Sequence, residues 1–170
     1  MEYYCIMINT GEENTFKKRA LDRLLGEFPS LQIYNFERDM YTQRRGWFKK
    51  ALFPGYLFVG IDKFTPTFLA AMKTINGFHR FLRDNKEPIQ LSGPALEELS
   101  FLIRTGEVLG VSKVQFLPDQ KIKAISGPFV GYEGKIVAVN RKKKRITVRS
   151  SLVENSTTFD LKFEEVEVQQ

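Results

Sequence analysis

The chain has 170 residues, 42% hydrophobic and 27% charged, with a formal net charge of +6, which is ordinary for a globular protein of one or two small domains. The basic balance points to nucleic acid or an acidic membrane surface as partner without choosing between them. One Cys, Cys5, excludes an intramolecular disulfide and fits a reducing compartment, and one His, His79, leaves no material for a Cys/His metal cluster.

No apolar run approaches the roughly 18 residues a membrane span needs. The start, MEYYCIMINTGEE, has neither a basic n-region nor a cleavage pattern. The expectation is a cytoplasmic protein with no membrane partner. Residues 2–9 read as a strand rich in aromatic and β-branched side chains, with Cys5 a buried structural thiol. Thr10 and Glu13 have the spacing of a capping box. The helix after them carries Phe16, Ala20, Leu21, Leu24, Leu25 and Phe28 at helical spacing and ends at Pro29. Residues 31–40 read as a second strand and the basic segment 41–50 as a loop or hairpin tip. Residues 52–61 read as a third strand, broken near its start by Pro54-Gly55. A short helix over 65–74 has Thr65 as cap and Pro66 at its first position, and 77–83 reads as a short strand. A helix over 91–106, begun by Ser92 and Pro94 and closed near Gly106, presents Leu96, Leu99, Leu102 and Ile103.

These elements predict an α+β layer domain over 1–105 and a linker over 106–117. From 118 to 170 the character changes. Short strands are predicted at 121–125, 134–140, 145–149, 157–161 and 165–168, which together suggest a small all-β barrel. No catalytic constellation, phosphate loop or metal-binding motif occurs, and the carboxylates of EELS and FEEVEV lie at surface spacings. The expectation is a binding protein, not an enzyme, without cofactor or metal.

The phrase GPFVGYEGKI, from Gly127, resembles the KOW motif, an SH3-like barrel module of transcription and ribosomal proteins. YYCIMINTGEE, LFPGYLFV and TINGFHRFLRDNKEPIQLS resemble, in order and spacing, the N-terminal (NGN) domain of the NusG family of transcription elongation factors. The resemblance covers essentially the whole chain. It implies an NGN domain, an antiparallel sheet with flanking helices, followed by a five-stranded KOW barrel. It also implies that Phe53, Pro54, Gly55 and Tyr56 dock on the clamp helices of RNA polymerase. Read from the residues alone, Phe53 and Tyr56 are equally core rings beside a strand break. The resemblance further implies contact with the non-template DNA strand, for which Lys63, Thr65 and Thr67, then His79 and Arg80, are candidates. Thr65 also reads simply as a helix cap. The segment RRGWFKK offers Arg44, Arg45, Lys49 and Lys50 to DNA with Trp47 stacking on a base, or is a solvated hairpin tip.

The run NRKKKRITVR carries the sharpest signal of the second domain. Five consecutive cations, Arg141, Lys142, Lys143, Lys144 and Arg145, precede an alternating strand. Alternation sends Ile146 and Val148 inward and Arg145, Thr147 and Arg149 outward, as it does Ile122 against Lys121 and Lys123. A solvated turn does not need five mutually repelling cations, so a phosphate-binding face is the better account. Housekeeping members of the family usually carry an I-F-G-R-x-T-P-V-like phrase in this barrel, which contributes to ribosome or termination-factor contacts. Here LVENSTTF stands in its place, with Val153 for the aromatic, Glu154-Asn155 for Gly-Arg and Thr158 for Pro. The departure and the basic face together resemble the specialised antiterminator branches (RfaH-like, UpxY-like, LoaP-like), the last best. That branch implies recognition of a leader RNA hairpin, and the chain is expected to be a monomer.

Overall fold

The computed structural model describes residues 1–119, 121–153 and 157–167. In chain order the elements are β1 (Glu2–Ile8), α1 (Glu13–Leu24), β2 (Gln32–Tyr34), β3 (Glu37–Thr42), β4 (Gly46–Ala51), β5 (Tyr56–Ile61) and α2 (Pro66–Lys73). Then come β6 (Phe78–Phe81), α3 (Gly93–Thr105), β7 (Val108–Leu109), β8 (Ser112–Phe116), β9 (Ile122–Ser126), β10 (Ile136–Asn140), β11 (Arg145–Arg149) and β12 (Thr158–Glu165).

β1 and β5 are central in a four-stranded sheet of order β2-β5-β1-β6. Their alternation decides what each face buries. Tyr4, Ile6, Ile8, Leu57 and Val59 meet Phe16, Ala20 and Leu24 of α1 and Phe68 and Met72 of α2. Cys5 and Phe58 point to the opposite face. That second face carries no helix pair of its own. It joins Phe53, Leu99 and Leu102 to Val114, Phe129, Tyr132, Ile146, Val148, Leu152, Val153, Phe159, Leu161 and Phe163 in one apolar cluster. The C-terminal unit therefore packs against the free face of the N-terminal sheet, and the two cores are continuous. Each fully buried ring contributes roughly 1.5–3 kcal/mol of transfer free energy.

The C-terminal unit is a five-stranded half-barrel of order β10-β11-β12-β8-β9, as the KOW resemblance implies. Ile146 and Val148 of β11 are buried, as the alternation predicts. Of the segments 157–161 and 165–168, read as two strands, the first and Glu165 belong to one strand, β12, Val166 and Glu167 lie beyond it, and Val168 lies outside the described residues.

Four readings are corrected. Residues 106–117, read as a linker, hold β7, which pairs in parallel with β3, and β8, which pairs with β9 and β12. Lys17 of α1 grips Glu107 at 2.6 Å, and Glu107 O accepts from Glu37 N at 2.7 Å, which ties this segment down. The strand read over 31–40 is split between two sheets, β2 in the first and β3 in a three-stranded sheet β4-β3-β7. The basic segment 41–50 is the body of the β3–β4 hairpin, with Tyr41 opposite Trp47. The capping box does not form, because α1 begins at Glu13 after an uncapped Glu12. Thr65 does cap α2, its hydroxyl accepting from Phe68 N at 3.1 Å.

Candidate functional site

The Phe53-Pro54-Gly55-Tyr56 turn is built by Glu13. This buried carboxylate accepts from Gly55 N at 2.8 Å and from Gly11 N at 3.0 Å. It is the bond that displaces the expected capping box. Gly55 has φ +83°, and a Cβ there would lie 2.7 Å from Thr10 Oγ1. Both the dihedral and the close approach require glycine. Gly55→Ala is expected to destabilise the chain by about 1–3 kcal/mol, read as a lower urea midpoint at unchanged slope.

The turn aims Phe53 out of its own sheet and into the barrel. Its ring packs edge-on against Phe58 at 5.4 Å and against Phe159 of β12 at 5.6 Å, and only 2% of the residue is exposed. Tyr56 is half-buried, Gly55 buried and Pro54 exposed. The Phe53 ring, which the resemblance assigns to docking and the residues alone read equally as core, is thus covered by the second domain. The same contact covers the start of the departing phrase, since Leu152 and Val153 are buried in the shared cluster. Of the other substituted positions, Glu154 and Asn155 lie outside the described residues and Thr158 is exposed at the start of β12.

A polar latch stands beside this apolar contact. Glu98 of α3, 4% exposed, accepts from Ser150 Oγ at 2.7 Å, Ser151 N at 2.9 Å, Ser151 Oγ at 3.1 Å, Tyr132 OH at 3.2 Å and Lys135 Nζ at 3.2 Å. All five donors belong to the barrel side. Burial, then the charge of Glu98 and its hydrogen bond, push the Tyr132 phenol well above its ordinary range, so it stays a donor. A second polar contact joins Arg38 of β3 to Asp160 O at 2.5 Å. Burial lowers the Arg38 pKa; the Asp160 charge opposes this and Arg145 adds to it. Sequence reasoning assigned the EELS carboxylates to the surface. Glu98 lies four residues before Leu102 of the apolar stripe, on the same helix face, and that spacing was the available signal.

The cationic residues divide into groups. Arg141, Lys142, Lys143 and Lys144 are exposed on the β10–β11 turn. Asn140 Oδ1 accepts from Lys143 N at 2.9 Å, Lys144 N donates to Arg141 O at 3.2 Å, and Lys144 has φ +51°. Lys144 O accepts from Phe163 N at 3.1 Å, so the turn is stitched to β12. The Arg141 guanidinium lies 4.1 Å over Phe116 and pairs with Glu165. Among the described residues, Lys142, Lys143 and Lys144 make no ion pair. Arg145 and Thr147 are half-buried on the face toward Arg38, Thr147 bonding Asp160 at 2.6 Å, while Arg149 is exposed. Lys121, paired with Asp119 at 3.1 Å, and Lys123 are exposed beside and on β9. β12 and β8 lie between β9 and β11, so the structure does not make one strip of them.

On the N-terminal side, Arg44, Arg45, Trp47, Lys49 and Lys50 are exposed on the hairpin, Arg45 lying 4.3 Å over Phe48. Lys63 and Thr67 are exposed around the start of α2, away from the hairpin in sequence. His79 Nε2 meets Asn9 Oδ1 at 2.5 Å, and the Arg80 guanidinium donates to Arg83 O. Among the described residues, no group of His, Cys, Asp and Glu has the arrangement of a metal site, and no helix is long and apolar enough to cross a membrane.

An aromatic corner on a glycine turn, a buried interdomain latch and an exposed cationic turn mark a chain of two packed modules. The chain belongs to the NusG family: the family described as "Transcription termination factor nusG" matches residues 1–100, and the KOW motif matches 118–149. These are transcription factors, not enzymes. The chain is similar to the transcription termination/antitermination protein NusG of Thermus thermophilus, at 22% identity covering 98% of this chain and 97% of the relative. It is similar to the protein of that name in Deinococcus radiodurans at 25% (98% of each chain) and in Pseudomonas aeruginosa at 28% (97% of each). Of solved structures, "Domain interaction in Thermotoga maritima NusG" has the same fold, with a TM-score of 0.61 at 19% identity over 95% of this chain and 93% of that one.

Proposed function

We propose that the chain is a specialised antitermination factor of the NusG family, acting in the cytoplasm on transcribing RNA polymerase and on a hairpin in the nascent RNA. The barrel's exposed turn, Arg141 to Lys144, carries this reading. It is held in a fixed shape by Asn140 and Phe163, and Lys142–Lys144 lie outside the interdomain contact. A clustered set of cations on a preformed turn suits phosphates, with Arg149 further along the same strand. The docking corner, by contrast, lies under the barrel. In this reading the barrel swings away before Phe53 and Tyr56 meet the polymerase clamp helices, and the freed barrel holds RNA. Non-template DNA is left to the hairpin cations, Lys63 and Thr67, since the Thr65 hydroxyl is engaged as a cap.

The test is RNA binding by the full chain across a salt series, using a leader hairpin, a matched single strand and a scrambled hairpin. The hairpin is expected to bind best. Replacing Lys142, Lys143 and Lys144 by Ala should flatten the log–log salt slope by about 2–3, from about 0.7–0.9 per phosphate contact. Equal weak binding of all three RNAs, unchanged by the substitutions, would overturn the reading. A housekeeping factor coupled to ribosome or termination factors is the alternative, favoured by the plain NusG name of the curated relatives. It predicts instead saturable binding of a ribosomal protein by the opened chain.

A further inference from the structure

We infer that the RNA face of the closed molecule is composite: the barrel's cationic turn continues through Lys162 onto Tyr41 and Trp47 of the β3–β4 hairpin, and one RNA lays phosphates on the cations and an unstacked base on Trp47. This rests on the reading of the turn as an RNA contact. It adds two residues, Tyr41 and Lys162, that the sequence did not single out, and it gives Trp47 a different ligand.

Side chains of β12 and of the β3–β4 hairpin meet here. Lys162 stands opposite Arg145 in the β11–β12 ladder, and its neighbour Phe163 donates to Lys144 O at 3.1 Å. Lys162 is therefore one cross-strand step from the end of the turn, about 5 Å between backbones. Its ammonium lies 4.7 Å from the Trp47 ring centre and 5.6 Å from that of Tyr41. The two rings are cross-strand partners, 5.4 Å apart and tilted by 56°. Trp47 is 63% exposed and Tyr41 44%, so the cation holds the rings without covering them. Arg44 and Arg45 follow on the hairpin turn.

Of the carboxylates near the seam, Glu165 is paired with Arg141, Asp160 is bonded to Thr147, Asp39 of β3 stands opposite Lys49, and Glu164 is exposed two residues after Lys162 on β12. The exposed charge that remains on the turn and hairpin tip is positive. A ring fixed by a cation on one side and open to solvent, next to a row of lysines, is the arrangement of a single-strand stacking platform. A base flanking a hairpin stem is the ligand it fits, since bases within a stem are already stacked. The platform needs the domains closed, because Lys162 and Trp47 belong to different ones. The turn's contact survives opening, so RNA stays tethered by its stem while the hairpin is released.

Trp47 is the single Trp of the chain, so intrinsic emission reports on this position alone. The experiment titrates the full chain with a leader hairpin carrying a short 3′ single-stranded flank, reading tryptophan emission and, independently, the bound fraction by mobility shift. The expected result is quenching that saturates with binding. Trp47→Ala should weaken binding by about tenfold, the loss of one stacked base. Trp47→Phe should restore most of it, and Lys162→Ala should weaken it in wild-type and lose its effect in Trp47→Ala. Binding that depends on Lys142–Lys144 yet leaves emission unchanged, with Trp47→Ala at wild-type affinity, would overturn the composite face and leave the turn as the RNA site. Binding indifferent to Lys142–Lys144 would remove the reading beneath it as well.

Discussion

Glu98→Ala is expected to release the barrel from the N-terminal module without unfolding either. The carboxylate belongs to α3, so neither hydrophobic core loses a side chain. What is lost is the shared acceptor of Ser150, Ser151, Tyr132 and Lys135. Lys135 is partly exposed and regains water, but Tyr132 and Ser150 are buried at 2% each and are left without their acceptor. Orphaning buried donors of a charged acceptor costs about 3 kcal/mol in the closed state. That moves the closed-to-open ratio by roughly a hundredfold. Small-angle scattering should show a larger radius of gyration, while the thermal transition of each module persists. Glu98→Gln, which keeps the shape and one acceptor oxygen, should give a smaller expansion. An unchanged radius in Glu98→Ala would mean that the apolar seam alone holds the domains.

Phe53→Ala is expected to open the molecule too, with the opposite consequence for docking. The ring fills the space between Phe58 and Phe159, and truncating a buried Phe costs about 3–5 kcal/mol. Part of that falls on the N-terminal module and part on the seam. In the proposed function the exposed ring is also an anchor for the polymerase, where buried aromatics dominate binding. Phe53→Ala should therefore expand the chain and abolish polymerase co-purification, and Tyr56→Ala should abolish it with less expansion. Retained co-purification in a folded Phe53→Ala chain would remove the corner from the docking surface.

Much of the fold was readable because local pattern and final environment agree. The alternation of β1 and β5 and the helical stripe of α3 have the period their burial demands. The exceptions share a cause, which is that a distant segment supplies the partner. Glu13 leaves the helix cap because Gly55, 42 residues on, offers a backbone N–H at 2.8 Å. VSKVQF becomes β8 only because β9 and β12 flank it; alone it reads as a connector. Glu98 looks like any helix-surface carboxylate until the barrel arrives over it. Phe53 is the instructive residue: the family resemblance implies a binding ring, the residues alone read equally as a core ring, and the structure places that ring in a core. Both descriptions hold if the core is one that opens. The RITVR alternation was legible for Ile146 and Val148, yet not for Arg145 and Thr147, whose outward face is half-covered by β3.

The most direct measurement titrates core RNA polymerase with three chains: wild type, Glu98→Ala, and Glu98→Ala combined with Phe53→Ala. If the barrel covers the docking corner, the apparent Kd is the intrinsic Kd divided by the fraction of open molecules, so closure weakens binding. Glu98→Ala should then bind at least tenfold tighter than wild type, and the double variant should lose that gain and fall below wild type. Equal affinity of wild type and Glu98→Ala, in a variant shown by scattering to be open, would contradict a masked docking corner.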